Sequence, residues 1–90
     1  MSDIRVSSHA LERWLERSDA TLTDPADAWV AGVPVPVHPT DLQAHEVRYH
    51  DDSGTLLLRK NRTIVTVLHV RSVSPDTRRA VLEVTGGVSA

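Results

Sequence analysis

The chain has no cysteine and no phenylalanine, one tyrosine, one methionine and two tryptophans. Without cysteine there is no disulfide, no thiolate metal site and no cysteine nucleophile. Without phenylalanine the core has to be built from Val, Leu, Ile and Ala, with Trp14 and Trp29 as its two large pieces. No apolar run approaches membrane-spanning length, and Met1-Ser2-Asp3 does not open a signal peptide. The expectation is a soluble, cytoplasmic chain with no membrane partner. Lysine is almost missing too, with Lys60 alone against nine arginines. A GC-rich genome or a salt-adapted host accounts for that as well as a need for forked guanidiniums does.

Several reaction classes lose their usual motifs. There is no Gly-x-Ser-x-Gly elbow, no glycine-rich phosphate loop and no His-Glu-x-x-His. His9, His38, His45, His50 and His69 invite a metal, but no pair has the usual ligand spacing. His45 and His50, five apart on an alternating strand, point to opposite faces. No metal and no cofactor is expected.

What remains is one small domain over residues 1–90, frayed at 88–90. Net charge is -2, unevenly spread. Residues 1–42 set Arg5, Arg13 and Arg17 against seven acids. Residues 43–71 set Arg48, Arg59, Lys60, Arg62 and Arg71 against Glu46, Asp51 and Asp52. The middle third can therefore present a basic face on a mildly acidic chain.

The hydrophobic pattern predicts seven elements. Residues 3–7 alternate as a short strand, and Ser7 or Ser8 caps a helix that stops near Arg17-Ser18-Asp19. Ala10, Leu11, Trp14 and Leu15 make its apolar stripe, while His9, Arg13 and Arg17 stack along one edge beside Glu12 and Glu16. After a polar connector at 18–23, Asp24 at the cap, Pro25, Asp27 and Gly32 punctuate a second helix with Ala26, Trp29 and Val30 inward. The proline-rich stretch 33–39 suits an extended edge segment, which argues against dimerisation by sheet extension there. Strands at about Ala44–His50, Thr55–Lys60 and Thr63–Val70 follow, joined by turns at Asp51–Gly54 and Asn61-Arg62. Ser74-Pro75 then opens a last helix with Ala80, Val81 and Val84 inward, stopped by Gly86-Gly87. The order β-α-α-β-β-β-α describes an α+β domain with its helices on one face of an antiparallel sheet.

Regular pairing in these hairpins puts Val47, Tyr49, Leu56, Leu58, Val65 and Val67 on one face. The other face collects Glu46, Arg48, His50, Leu57, Arg59, Ile64, Thr66 and Leu68. That is either a binding surface with convergent cations or a plain solvated face, with Arg48 and Arg59 paired to Glu46. The inventory suits metal-independent RNA cleavage. There the 2′-hydroxyl is the nucleophile, and the protein supplies a general acid or base and cations for the phosphorane.

Ser8-His9-Ala10-x-x-Arg13-Trp14-x-x-Arg17, with Leu57-Leu58-Arg59-Lys60 and Ile64-Val65-Thr66-Val67-Leu68 near the end, resembles the small RelE-toxin-related proteins. These belong to the barnase–EndoU–colicin–RelE group of ribonuclease-like folds. The match covers about residues 3–70. The resemblance implies a toxin-like ribonuclease scaffold that binds RNA, such as mRNA or tRNA, on the sheet and against the first helix, with an antitoxin protein as partner. By position, His9, Arg13 and Arg17 take the helix motif and Thr66 the last-strand threonine. The face pattern adds Arg48, Arg59, Lys60 and His50. The expected catalytic group is His9, Arg13, Arg59 and Thr66, with Arg17, Arg48, Lys60 and His50 holding RNA. The alternative is a non-catalytic module on the same fold, binding nucleic acid or protein. A third reading is an accessory protein of a virus or plasmid. Oligomeric state is left open.

Overall fold

The computed structural model describes residues 4–18, 23–36 and 44–85. The elements are β1 (Arg5–Val6), α1 (Ser8–Arg17), α2 (Pro25–Ala31), β2 (Val33–Pro34), β3 (Glu46–His50), β4 (Thr55–Lys60) and β5 (Thr63–His69). A 3₁₀ turn at Val70–Ser72 leads into α3 (Pro75–Val84). The expectations for Gly86-Gly87, for 88–90 and for residues 37–43 fall outside the described residues.

Local chemistry sets the helix starts. Ser7 Oγ accepts the Ala10 N–H at 3.0 Å, Asp24 Oδ1 accepts the Asp27 N–H at 2.8 Å, and Ser74 Oγ accepts the Thr77 N–H at 3.3 Å. Each satisfies an amide that the first helical turn leaves open, a contribution of about 1 kcal/mol. Proline follows the cap in α2 and α3, where its missing N–H costs nothing.

Five strands form one sheet in the order β1-β5-β4-β3-β2. β1 runs parallel to β5 and the other pairs are antiparallel, so the sheet is mixed. The β3–β4 hairpin pairs as its turn dictates, with Val47 opposite Leu58 and Tyr49 opposite Leu56. The β4–β5 hairpin starts regularly, Lys60 opposite Thr63 and Arg59 opposite Ile64. It then slips, because Leu58 pairs with Thr66 and Val65 is an extra residue. Such a bulge shifts every later side chain to the other face.

That slip corrects the expected faces. Val67 joins Ile64 and Leu57 in a layer with Ala10, Trp14, Ala28 and Trp29. Leu68 joins Val47, Tyr49, Leu56 and Leu58 in a second layer with Val35, Val73 and Val81. Thr66, expected beside Arg48 and Arg59, stands opposite Leu58.

The α+β class agrees with the sequence, as does the element order apart from the added edge strand β2, but the helices cover both faces. α1 and α2 pack on one side of the sheet and α3 on the other. The central strand explains why: Leu56, Leu57 and Leu58 are each no more than 2% exposed, so both of its faces need a cover. Residues that face the solvent side of these helices depart from the expected stripes. Leu15 is 76% exposed, Leu11 46% and Val30 64%, while Ala28 takes the inward place given to Val30.

These placements predict opposite costs for adjacent α1 residues. Trp14→Ala removes a buried indole and its hydrogen bond to the Thr23 carbonyl, and should cost about 3–5 kcal/mol. Leu15→Lys should fall within about 0.5 kcal/mol of wild type. Urea denaturation checks both; comparable losses would contradict the α1 orientation.

Candidate functional site

The polar side chains gather at the end of the sheet where β3 begins and β4 ends. Glu46 lies opposite Arg59, which places the two on one face, and Arg48 follows Glu46 by two residues on that face. Glu46 Oε2 accepts Arg48 Nε at 2.9 Å, and its Oε1 accepts Arg59 Nη2 at 3.0 Å. Arg59 Nη1 also donates to the Asn61 carbonyl.

Trp29 forms the floor. The Arg48 guanidinium carbon sits 4.3 Å from the Trp29 ring centroid, and that of Arg59 sits 5.8 Å away. Both are within cation–π range. Arg48 Nη1 donates to the Trp29 carbonyl at 2.8 Å, so Arg48 ties the end of α2 to β3. Gly32 permits the approach. A Cβ there would lie 3.0 Å from the Ala28 carbonyl oxygen and 3.1 Å from Arg48 Cβ.

The three charged side chains keep 26–30% of their surface in water. Two guanidiniums and one carboxylate leave one positive charge, on guanidiniums that lie over an indole and stay partly exposed. Burial alone raises the Glu46 pKa. The hydrogen bond and charge of Arg48, then those of Arg59, outweigh it and hold the carboxyl below its ordinary 4.5.

The edge of α1 is arranged differently. His9 is exposed and, among the described residues, hydrogen-bonds neither Arg13, Arg59 nor Thr66. Arg13 Nη1 pairs with Glu16 at 2.5 Å, and Glu12 lies 4.0 Å from its Nη2. Arg17 Nη1 donates to the Val67 carbonyl at 2.8 Å and pins α1 to β5. The structure thus brings Arg48 and Arg59 together around Glu46 and Trp29, and does not join His9, Arg13 and Thr66 to them by hydrogen bonds. His50 is buried, its Nδ1 2.7 Å from Ser53 Oγ, which lies 2.6 Å from Thr55 Oγ1. Its ring centroid is 6.2 Å from that of Trp14. Lys60 is exposed beside Thr63.

His45 borders the cluster. Its Nδ1 accepts the Asn61 N–H at 3.0 Å, which leaves the ring proton of the neutral form on Nε2. Among the described residues, no three His, Asp or Glu side chains come together as a metal site. No helix there is long and apolar enough to cross a membrane.

Sequence reasoning passed over Glu46 as a mere counter-ion and Trp29 as mere core. Glu46 was within reach, since the hairpin register sets it opposite Arg59. The stacking on Trp29 was not, because it depends on how α2 settles against β3.

The lowered Glu46 pKa has a definite pH signature. A depressed folded pKa adds stability that is complete above the ordinary 4.5 and is lost as pH falls through the lower folded value. Wild type should therefore melt above Glu46→Gln at neutral pH, and the gap should close as pH falls through the lowered folded value. A gap constant from neutral pH into strong acid would contradict the ion pairs.

A family model described as "Putative RelE superfamily toxin domain" matches residues 6–71, from β1 through the 3₁₀ turn. Neither a curated protein nor a solved structure matches the chain. The matched span takes in α1, the sheet and the whole Trp29–Glu46–Arg48–Arg59 cluster, and the chain belongs to this family of RelE superfamily toxin domains.

Proposed function

We propose that this toxin domain acts on RNA, and that its working centre is the Glu46–Arg48–Arg59 cluster on Trp29. The observation that carries the reading is one carboxylate bridging two guanidiniums that lie over one indole. That set meets the needs of metal-independent cleavage within itself: a proton acceptor for the 2′-hydroxyl and two forked cations for the phosphate. The acid–base role moves from His9 to Glu46.

In the free protein Glu46 holds the arginines and is a weak base. A phosphodiester entering the cluster competes for the same N–H groups. As Arg48 and Arg59 turn part of their hydrogen bonding to the phosphate, the pull on the Glu46 carboxylate falls and its proton affinity rises. The carboxylate then takes the 2′-hydroxyl proton while the 2′-oxygen bonds to phosphorus. The bond from phosphorus to the 5′-oxygen breaks, and water at this open end of the sheet protonates the leaving oxygen. The products are a 2′,3′-cyclic phosphate and a 5′-hydroxyl.

The alternative is a module that binds RNA or a protein without cutting. The pairing of Arg13 with Glu16, and of Arg48 and Arg59 with Glu46, favours it. A cognate antitoxin is the protein partner that a toxin domain implies under either reading, and the cytoplasm is where RNA and antitoxin would both be met.

Incubation of pure protein with total RNA in EDTA separates the readings. Wild type should cut, Glu46→Gln should lose about 10²–10⁴-fold, and His9→Ala should stay near wild type. A wild type that binds RNA but leaves it intact establishes the module. A loss on His9→Ala with Glu46→Gln unaffected returns the acid–base role to α1.

A further inference from the structure

On the opposite face of the sheet, at the same end, lies a second row of cation, hydroxyl and cation. Lys60 of β4 pairs with Thr63 of β5, and Thr63 pairs with Arg5 of β1. Partners in register share a face. Arg59 and Val6 sit on the α1–α2 side, through the Trp29 contact and the Trp14 layer. Their neighbours Lys60 and Arg5 therefore project to the α3 side, with Thr63 between them.

Strands lie about 4.8 Å apart, so the Lys60 and Arg5 backbones stand roughly 10 Å apart across Thr63. Both side chains are exposed. Among the described residues, the ion pairs engage Arg13, Arg48 and Arg59, and no carboxylate pairs with Lys60 or Arg5. In the Glu46 cluster, by contrast, one carboxylate pairs with both cations. The turn between Lys60 and Thr63 is itself fixed. Asn61 takes a φ of 57°, and the Arg62 carbonyl accepts the Arg5 N–H at 2.7 Å. Arg62 is exposed on that turn.

We infer that Lys60, Thr63 and Arg5 form a second phosphate subsite, which holds the RNA strand beyond the phosphate seated at Arg48 and Arg59. The inference rests on the RNA reading above. Two long cations flanking a hydroxyl on one face suit the unesterified oxygens of a phosphodiester. Lys60 directly follows Arg59 at the end of β4, so a flexible polyanion with a charge at every unit that crosses this end of the sheet can meet both. A single-stranded RNA backbone does so, and readout of base identity is not involved. A chain of net charge -2 can thus still offer local positive charge to RNA, since Lys60 and Arg5 stand on one face without a paired carboxylate among the described residues.

The test is anisotropy titration of 2′-O-methyl oligouridylates of two and eight nucleotides, which cannot be cleaved through the 2′-oxygen, at several salt concentrations. Arg5→Gln/Lys60→Gln alters two exposed side chains, and an unchanged melting curve confirms that the variant folds. It should bind the eight-mer about tenfold more weakly, with a log K against log salt slope shallower by about 1.4, two lost contacts at about 0.7 each. Its affinity for the dinucleotide should match wild type. If wild type binds neither oligomer, the RNA reading falls and the subsite with it. If wild type binds the eight-mer and the double variant binds it equally, with the same slope, the second subsite alone is overturned. Equal displacement of the eight-mer by poly-glutamate at matched charge would overturn it as well, marking the row as a dock for an acidic protein segment.

Discussion

The molecule depends on a strand that is apolar on both faces. β4 carries Leu56, Leu57 and Leu58 in succession, all with essentially no exposure. A side chain in a strand points up or down, so three consecutive leucines need a layer on each side. α3 supplies one and α1 with α2 the other. Charged side chains are thereby excluded from the middle of β4. They collect at its end, where Arg59 and Lys60 finish β4 and Glu46 begins β3. The site lies there because it is the place near the central strand where a charge can keep contact with water.

Trp29 makes that end different from an ordinary solvated edge. The indole is 5% exposed and belongs to the α1–α2 layer, yet its face carries Arg48. A guanidinium stacked on an indole keeps its N–H edge free to bond in its own plane. In the free protein Glu46 fills that edge. The carboxylate thus orders the arginines in the free protein and, under the proposed function, competes with the incoming phosphate.

Much of the fold was legible in the sequence, for identifiable reasons. Ser7, Asp24 and Ser74 announce their helices because a cap side chain bonds an amide three residues on, a local event. The β3–β4 register follows from a short turn and two alternating strands. The extra residue Val65 was not legible. Ile64, Val65, Val67 and Leu68 are all apolar, so nothing in their polarity marks where the alternation slips. The same ambiguity hid the two-sided packing, and with it the exposure of Leu11 and Leu15. For the site, Arg48 and Arg59 could be read from hairpin register. Their stacking on Trp29 joins residues 19 and 30 positions apart and depends on α2 settling on β3 through Gly32.

The proposed function stands on RNA meeting the protein at Trp29, Arg48 and Arg59 and not along the His9–Arg13–Arg17 edge of α1. NMR tests it directly, by titrating ¹⁵N-labelled wild type with a short 2′-O-methyl oligonucleotide and following the Trp indole and Arg Nε signals. The account predicts that Trp29 Nε1, Arg48 Nε and Arg59 Nε shift together, saturating at one ligand concentration, while Arg13 and Arg17 stay in place. Shifts confined to Arg13, Arg17 and the His9 ring, with Trp29 unmoved, would contradict it.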